Sequence, residues 1–269
     1  LLDAAEGREL DLSSLRTILY GAAPITPERL EQGLRRFGAV FMQLYGQSEA
    51  PNFITRLTRE DHDPLLPERL ASCGRPATLV KVAVLDDRGS PLPAGQVGEI
   101  CARAPYVMSG YRGLPDTTAN TLRDDWLHTG DIGLLDEDGY LHLLDRKNDM
   151  IISGGMNVYT TEVEQVVSAC PGVAQVAVVG VPHPDWGEAV VAFVVSSDEF
   201  DQDAAMNRCR AELAAYKRPK AFQRAEALPV TAVCQVHKKR LKPGRRARPP
   251  RAPFGPHTPR LEWPPCRPG

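Results

Sequence analysis

This sequence lacks the signatures of several protein classes. Its six cysteines are scattered, with no C-x-x-C pair and no histidine at a zinc-site spacing. Reduced thiols are therefore predicted, rather than a disulfide framework or a zinc centre. No apolar run is long enough to span a bilayer, and the first residues do not form a signal peptide. We expect a cytoplasmic protein without a membrane span.

An excess of charge is lacking as well. The formal net charge is -2 over 269 residues, which gives no general attraction to nucleic acid or to anionic membranes. The length allows one large domain or two modest ones. An initiator methionine is also missing, and the chain begins within a structural pattern, so a truncated protein is expected.

Aliphatic residues become scarce near the end of the chain. Residues 243–269 are rich in proline, arginine and glycine, a composition that predicts a disordered tail. The arginines leave nucleic-acid contact as an alternative to a solvated tail. Reading of a GC-rich gene past its stop in another frame would give a similar composition.

The first part of the chain predicts a strand–helix–strand unit. An apolar strand ends at Tyr20, and a threonine N-cap followed by proline at 26–27 is a typical helix start. Leu30, Leu34 and Phe37 share one helical face, and residues 39–45 form a buried type of strand. The short joints predict a right-handed βαβ unit, whose ligands would lie beyond the carboxyl ends of its strands.

Short β segments separated by acidic turns follow from residue 81. After residue 148, two helices (161–170 and 203–215) and two strands (173–181 and 190–195) predict a small α+β domain. The expected fold class is α/β and α+β. Residues 1–147 would end a larger domain with a βαβ unit and a small β subdomain, 148–242 would form the small domain, and 243–269 the tail.

A dense run of charges at 145–149 joins the two parts. It is followed by a short apolar strand, the pair Gly154-Gly155 and a polar helix start at Thr160. Adjacent glycines allow positive φ or a close approach to a ligand. The alternative is the tight turn of a β-hairpin.

Six segments, taken in order, resemble the adenylate-forming (AMP-dependent synthetase/ligase) superfamily, which includes acyl- and aryl-CoA synthetases, luciferases and peptide-synthetase adenylation domains. The loops are most similar to fatty-acyl-CoA synthetases, and the chain resembles their C-terminal half, in which the small domain is mobile. The segments are Tyr20-Gly21-Ala22-Ala23-Pro24, Tyr45-Gly46-Gln47-Ser48-Glu49, Gly98-Glu99-Ile100, Trp126-Leu127-His128-Thr129-Gly130-Asp131, the stretch 144–159, and Tyr216-Lys217-Arg218-Pro219-Lys220.

The resemblance implies a nucleotide site for ATP and AMP. Asp131 would accept hydrogen bonds from both ribose hydroxyls, and Arg146 would contact the ribose and phosphate side. The adenine would be bound by Gly21, Ala22 and Ala23 through backbone and by Tyr45 through ring stacking, with Gly46 and Gln47 in the same loop. The alternatives are a core ring for Tyr45, a plain turn at Asp131 and a surface charge at Arg146.

The resemblance also implies the remaining catalytic parts. Glu49 is similar to the Mg²⁺ ligand, a role that suits a hard oxygen donor, and Ser48 offers a hydroxyl to a phosphate oxygen. Asn148 takes the hinge position, where asparagine tolerates backbone rotation. Gly154 and Gly155 would form part of the pantetheine tunnel for CoA. Three basic residues would meet the acidic end of CoA or form a solvated face: Lys217, Arg218 and Lys220.

Two departures from the family pattern stand out. The Ser/Thr/Gly-rich loop that grips phosphates has no counterpart in these 269 residues. Residues 228–236 align with the terminal motif, but Cys234-Gln235 replaces its Gly-Lys pair, so Gln235 stands at the position of the catalytic lysine. Losing one such stabilising group costs about 3–4 kcal/mol, or roughly 10²–10³ in rate. Lys238 and Lys239 lie further along, on a predicted helix.

The function implied is an acid–thiol ligase that activates a small carboxylic acid with ATP as acyl-AMP and transfers it to CoA, here truncated and impaired in adenylation. One alternative is a non-catalytic remnant that binds nucleotide or partners. Another is a peptide-synthetase adenylation domain, although no carrier-domain serine motif follows residue 243. No nucleic-acid partner is expected, and the sequence does not specify the acid or the oligomeric state.

Overall fold

The computed structural model describes residues 2–5, 7, 9–21, 25, 27–231 and 235–242. The chain divides into two units, Leu1–Asn148 and Asp149–Gly269. The boundary thus follows the residue for which a hinge is predicted. Ala22, Ala23, Cys234 and the predicted tail at 243–269 lie outside the described residues.

The first sheet of the first unit contains the predicted βαβ unit. Strands β1 and β2 pair in parallel, with Ile18 opposite Phe41, and α2 connects them, so the strand–helix–strand prediction is confirmed. The helix buries Leu30 and Phe37, and Gly38 follows it at a φ of +79°. Strand order is β1-β2-β3-β4. The elements are α1 Leu2–Ala5, β1 Ile18–Gly21, α2 Pro27–Phe37, β2 Phe41–Gln47, β3 Ala50–Leu57, α3 Pro67–Leu70 and β4 Arg75–Pro76.

The second sheet is antiparallel and supplies most of the candidate site. Its order is β5-β6-β8-β7, with β9 paired to β8. Ile100, Leu127 and Leu141 are fully or almost fully buried beneath it. Asp131 of β8 lies opposite Arg146 of β9. The elements are β5 Lys81–Leu85, β6 Gly98–Arg103, α4 Pro115–Thr121, β7 Leu122–Arg123, β8 Trp126–Leu135 and β9 Leu141–Arg146.

The second unit is the predicted α+β structure. Its sheet runs β11-β10-β13-β12, with β14 paired in parallel to β13. Helices α5 and α6 pack their apolar faces on this sheet through Val163, Val167 and Cys209, which are inaccessible to solvent. The elements are β10 Ile151–Ser153, β11 Met156–Val158, α5 Thr160–Ser168, β12 Val173–His183, β13 Gly187–Ser196, α6 Gln202–Glu212, β14 Ala221–Arg224 and a 3₁₀ helix Lys238–Arg240.

The mixed α/β fold class predicted from the sequence is confirmed by these elements. The four cysteines in the described ranges are buried free thiols (Cys73, Cys101, Cys170 and Cys209). No helix of the described segments has the length and apolar character needed to cross a membrane. Among these same segments, no three His, Cys, Asp or Glu side chains are grouped so that they could hold a metal ion.

Candidate functional site

Three residues predicted to contact the nucleotide meet in the first unit. The Tyr45 hydroxyl on β2 donates a hydrogen bond of 2.7 Å to Asp131 Oδ2 on β8. Arg146 Nε, on β9, lies 4.0 Å from Asp131 Oδ1. The Asp131 side chain is 15% exposed, whereas that of Arg146 is 62% exposed. The pairing of β8 with β9 brings Asp131 opposite Arg146, and Tyr45 adds its phenol from β2 of the first sheet.

Burial dominates the electrostatics of this group. It raises the pKa of Asp131, although the Tyr45 hydrogen bond and the Arg146 charge oppose that rise. The pKa of Tyr45 is also raised, first by burial and then by the Asp131 charge. A carboxylate kept in such an environment loses hydration that a bound hydroxyl-bearing ligand can replace.

The ring of Tyr45 has a structural role as well. It packs against two hydrophobic clusters, one around Ile54 and Leu127 and the other around Ile100 and Leu141. The hydroxyl orients Asp131, which the sequence reasoning missed because the two residues are 86 positions apart. Stacking of the Tyr45 ring on adenine stays a prediction.

Asp131 lies at an irregularity in the pairing of β8 with β6, and the residues before it are held by hydrogen bonds on both sides. Thr129 Oγ1 donates to the carbonyl of Ile100 at 2.7 Å and accepts from the Asp131 amide at 3.1 Å. Gly130 has a φ of +72°, a conformation that favours glycine. Local geometry thus accounts for Thr129 and Gly130 without any ligand.

The predicted metal ligand lies at the tip of a hairpin. Ser48 and Glu49 form the two-residue turn between β2 and β3, with Gln47 opposite Ala50. Tyr111, which the sequence reasoning did not single out, donates a hydrogen bond of 2.6 Å to Glu49 Oε1. Tyr111 also lines a shallow cleft of about 530 Å³ together with Ser109, Gly110, Arg112, Pro115, Thr118, Ala119 and Leu122.

The other residues of the predicted adenine loop are only partly described. A Cβ added to Gly21 would lie 2.2 Å from the carbonyl oxygen of Leu44, so close approach of β1 to β2 explains this glycine. A register shift occurs between Tyr45 and Gln47, at Gly46. Ala22 and Ala23 lie outside the described residues, and the adenine contacts of this loop stay predictions.

The predicted CoA glycines are the turn of a hairpin in the second unit. Strands β10 and β11 pair antiparallel with Ser153 opposite Met156. Gly154 and Gly155 between them have φ values of +60° and +78°, which a two-residue type I′ turn requires. The hairpin alternative is therefore correct as structure, and the CoA role stays a prediction.

An exposed aromatic group lies next to this turn. The Gly154 amide donates to the carbonyl of Trp186 at 2.8 Å, and the indole is stacked on His183 at 4.3 Å between ring centroids. The Lys220 ammonium lies 4.7 Å from the Trp186 ring centroid. The sequence reasoning missed Trp186 and His183, although an Asp-Trp-Gly sequence between two strands was a visible signal.

The other two basic residues of the predicted CoA segment have structural partners. Lys217 Nζ lies 2.7 Å from both carboxylate oxygens of Glu162 at the start of α5. Burial works to lower the pKa of Lys217, but its bonds to Glu162 outweigh that effect and raise it. Arg218 donates to the carbonyls of Arg210 and Leu213 at the C-terminal end of α6. These contacts hold residues 217 and 218 against α5 and the end of α6.

Gln235 lies in the second unit, where its amide donates to Thr231 Oγ1 at 3.3 Å. Val230 and Val236 form an isolated antiparallel bridge, and the Gln235 carbonyl accepts from the Thr231 amide at 2.8 Å. Lys238, in the 3₁₀ helix just beyond, is bound elsewhere: its Nζ lies 2.7 Å from Glu164 Oε1 and 2.6 Å from Thr160 Oγ1. Its side chain is 13% exposed, so this lysine serves the structure of the second unit.

Comparison with known proteins agrees with this arrangement. The family described as "AMP-binding enzyme" matches residues 1–112, and its "AMP-binding enzyme C-terminal domain" matches residues 162–233. A medium/long-chain-fatty-acid–CoA ligase of Mycobacterium tuberculosis is 47% identical over 251 residues, which are 90% of this chain and 43% of that protein.

Solved structures show the same relationship. The amide bond synthetase of Marinactinospora thermotolerans has a TM-score of 0.77 and 44% identity over 86% of this chain and 47% of its own. The o-succinylbenzoate CoA synthetase of Bacillus subtilis, in complex with its acyl-adenylate intermediate, has a TM-score of 0.81 and 33% identity over 91% of this chain and 49% of its own. The chain spans less than half the length of these relatives, and it belongs to the adenylate-forming, AMP-binding enzyme family.

Proposed function

We propose that the chain is the C-terminal half of an AMP-forming acid–thiol ligase. Such an enzyme joins a carboxylate to the α-phosphate of ATP, releases pyrophosphate, and then transfers the acyl group from AMP to the thiol of CoA. The observation that carries the proposal is the buried Asp131 carboxylate, held by the Tyr45 hydroxyl opposite Arg146. A buried carboxylate with a raised pKa in a polar group is typical of a functional site.

We propose Asp131 as the acceptor of the two ribose hydroxyls. Its two oxygens give a bidentate acceptor, and Tyr45 fixes the rotation of the carboxylate by binding Oδ2. The exposed Arg146 guanidinium supplies positive charge beside it for the phosphate side. Hydrogen bonds to a charged group contribute more than neutral ones, especially where water is excluded.

We propose a fatty acid as the acid substrate, because the Mycobacterium tuberculosis relative carries that name at 47% identity. The chain covers only 43% of that relative, so the assignment concerns the class of acid and not its length.

The residues present also fit Mg²⁺. Tyr111 binds Glu49 Oε1, and the carboxylate still offers a hard oxygen donor at the tip of the β2–β3 turn. Magnesium commonly takes one or two protein carboxylates and completes its shell with water and substrate phosphates. When bound, the ion would neutralise charge on the phosphates. Ser48, exposed beside Glu49, would donate its hydroxyl to a phosphate oxygen.

We propose the Gly154-Gly155 turn and the neighbouring Trp186 and Lys220 as the part of the second unit that meets CoA. The two glycines leave the turn without side chains, so the pantetheine chain can approach the backbone. The Lys220 ammonium, which lies over the Trp186 ring, offers charge to a phosphate.

The position of Gln235 favours slow adenylation. A glutamine side chain keeps a donor but not the positive charge that would bridge the carboxylate and the α-phosphate. Lys238 is held by Glu164 and Thr160, so it is poorly placed to supply that charge. The same observation supports a second candidate function, a nucleotide-binding protein that does not turn over.

The test is calorimetric titration of the chain with AMP and with a non-hydrolysable acyl-AMP analogue. We expect Asp131→Ala to weaken AMP binding by at least about 100-fold, since two hydrogen bonds to a charged group at roughly 1.5–3 kcal/mol each are lost. The matched control is Asp87→Ala, an exposed aspartate of the same unit, and Asp198→Ala serves in the second unit.

Equal AMP affinity in Asp131→Ala and in the controls would refute the ribose assignment. A turnover assay, with the chain joined to the N-terminal half of a relative, separates the two candidate functions. Formation of acyl-CoA from acid, ATP and CoA supports the ligase. Tight AMP binding with no turnover supports the nucleotide-binding protein.

A further inference from the structure

One carboxylate next to the candidate nucleotide site has no role in the function proposed above. Glu99 lies on β6 with its side chain only 11% exposed. Its Oε2 is 3.1 Å from Lys147 Nζ and 3.2 Å from His128 Nδ1, and its Oε1 accepts from the Gly130 amide at 3.3 Å. Arg123 Nη2 lies further away, 3.8 Å from the same Oε2. Burial alone would raise the pKa of Glu99, but the bonds from His128 and Lys147 outweigh burial and lower it.

Three of these partners belong to two different functional segments. Gly130 is the residue before Asp131, and His128 lies on the same strand, β8. Lys147 is the residue before Asn148, where the first unit ends. The two segments also bind each other through the Lys147 amide, which donates to the Gly130 carbonyl at 2.8 Å.

The Gly130 peptide group is therefore fixed from both sides. Its N–H points at Glu99, and its C=O accepts from Lys147. Glycine has no Cβ and can adopt many backbone conformations, so these hydrogen bonds help to hold Gly130 in the one observed. Since Asp131 follows directly, the position of its carboxylate depends on where Glu99 holds this peptide group.

We propose that Glu99 is a positioning residue. It holds Gly130, the residue before Asp131, and Lys147, the residue before the hinge, in one fixed arrangement. The nucleotide part of this inference rests on the proposed function of Asp131. A buried carboxylate is unfavourable unless its partners compensate for the lost hydration. Two of its partners, Gly130 and Lys147, directly precede Asp131 and Asn148, so Glu99 couples the ligand-binding part of β8 to the chain segment that leaves the first unit.

The experiment compares hydrogen exchange and AMP binding in five variants of the chain. Glu99→Ala removes all the side-chain contacts of Glu99, including those with Gly130 and Lys147. Glu99→Gln keeps an acceptor for the Gly130 amide but loses the charge that binds Lys147. Lys147→Met removes only the ion pair between Lys147 and Glu99. The Lys147 side chain is 44% exposed, so the substitution should disturb packing little. The control is Asp136→Asn, which breaks a 2.8 Å contact with His142 elsewhere in the same sheet.

We expect Glu99→Ala to speed amide exchange at Gly130, Asp131, Lys147 and Asn148 by about tenfold, the effect of one lost hydrogen bond to a charged group. AMP affinity should fall by a similar factor. Glu99→Gln should restore protection at Gly130 and most of the AMP affinity, but not protection at Lys147. Lys147→Met should speed amide exchange at Lys147 and Asn148 by about three- to tenfold, as Glu99→Gln should. The effect is modest because the Glu99–Lys147 ion pair is partly exposed.

Glu99→Gln combined with Lys147→Met should show no further effect at Lys147, since both remove the same interaction. Faster exchange spread evenly over β6, β8 and β9 in Glu99→Ala would overturn the proposal in favour of a general structural role. Additive effects of the two substitutions would also overturn it. If the unaltered chain does not bind AMP, the proposed nucleotide function fails, while the exchange data still decide whether Glu99 joins the two segments.

Discussion

Replacement of Lys238 by methionine tests whether this lysine is structural or a substitute for the missing catalytic charge. Its Nζ contacts Glu164 Oε1 at 2.7 Å and Thr160 Oγ1 at 2.6 Å. The side chains of Lys238 and Glu164 are 13% and 19% exposed. After the substitution, Glu164 loses the lysine ammonium but still accepts a hydrogen bond from the Val178 amide, at 2.7 Å to Oε1.

The expected loss of stability follows from this burial. Breaking a fully buried pair by removing one partner costs about 3–5 kcal/mol, and remaining solvent access reduces that to about 2–4 kcal/mol here. Methionine keeps most of the apolar stem, so little packing is lost. The free energy of unfolding of the second unit is measured by urea titration followed by circular dichroism.

Two further variants make the measurement decisive. Lys239→Met changes an exposed neighbour and should alter stability by less than about 0.5 kcal/mol. Glu164→Gln combined with Lys238→Met should recover part of the loss, because no unpaired charge then stays buried. A change below about 0.5 kcal/mol in Lys238→Met, or an equal change in Lys239→Met, would refute the structural assignment.

Three other predictions concern the two units. Burial raises the pKa of Asp131, so the folded state holds a proton that the unfolded state releases, and stability falls as pH rises through that interval. Asp131→Asn should therefore be more stable to urea than the unaltered chain at pH 7, and the difference should narrow as pH is lowered toward 4; a constant difference would contradict this. Gln235→Lys, with the chain joined to a matching N-terminal half, should raise ATP–pyrophosphate exchange by roughly 10²-fold or more and scarcely change conversion of preformed acyl-AMP to thioester; fast exchange already with Gln235 would mean that another cation acts. Gly155→Ala should destabilise the second unit by about 1–2 kcal/mol in thermal unfolding, because its φ of +78° is unfavourable for a residue with a Cβ, whereas no loss would mean that the turn rearranges.

The local elements followed from the sequence because their signals are local. The spacing of Leu30, Leu34 and Phe37 and the proline at 27 defined α2, which spans Pro27–Phe37. Turn sequences likewise marked the boundaries of the short strands. The observed ends of these strands differ from the predicted ends by a few residues. The strand predicted at 190–195 extends over Gly187–Ser196, because pairing with β12 continues past the apolar run.

The candidate site was predicted only in part. The motif residues Tyr45, Asp131 and Arg146 were named from resemblance, but the hydrogen bond between Tyr45 and Asp131 was not. Glu99 was part of a recognised segment without an assigned role. Tyr111 and Trp186 were missed, since a single tyrosine or tryptophan carries no signal until its neighbours in space are known.

The sequence by itself determined the family, the mixed fold class and the presence of glutamine at position 235, because these depend on residue identity and on patterns within one segment. The tertiary structure alone decided the partners of the charged groups. Tyr45 and Asp131 are separated by 86 residues, Glu99 and Lys147 by 48, and Thr160 and Lys238 by 78. Such pairs depend on how strands and helices that are distant in sequence pack in space, which no single segment of the sequence specifies. For the residues that lie on strands, a register shift of one residue would turn the side chain to the opposite face of its sheet.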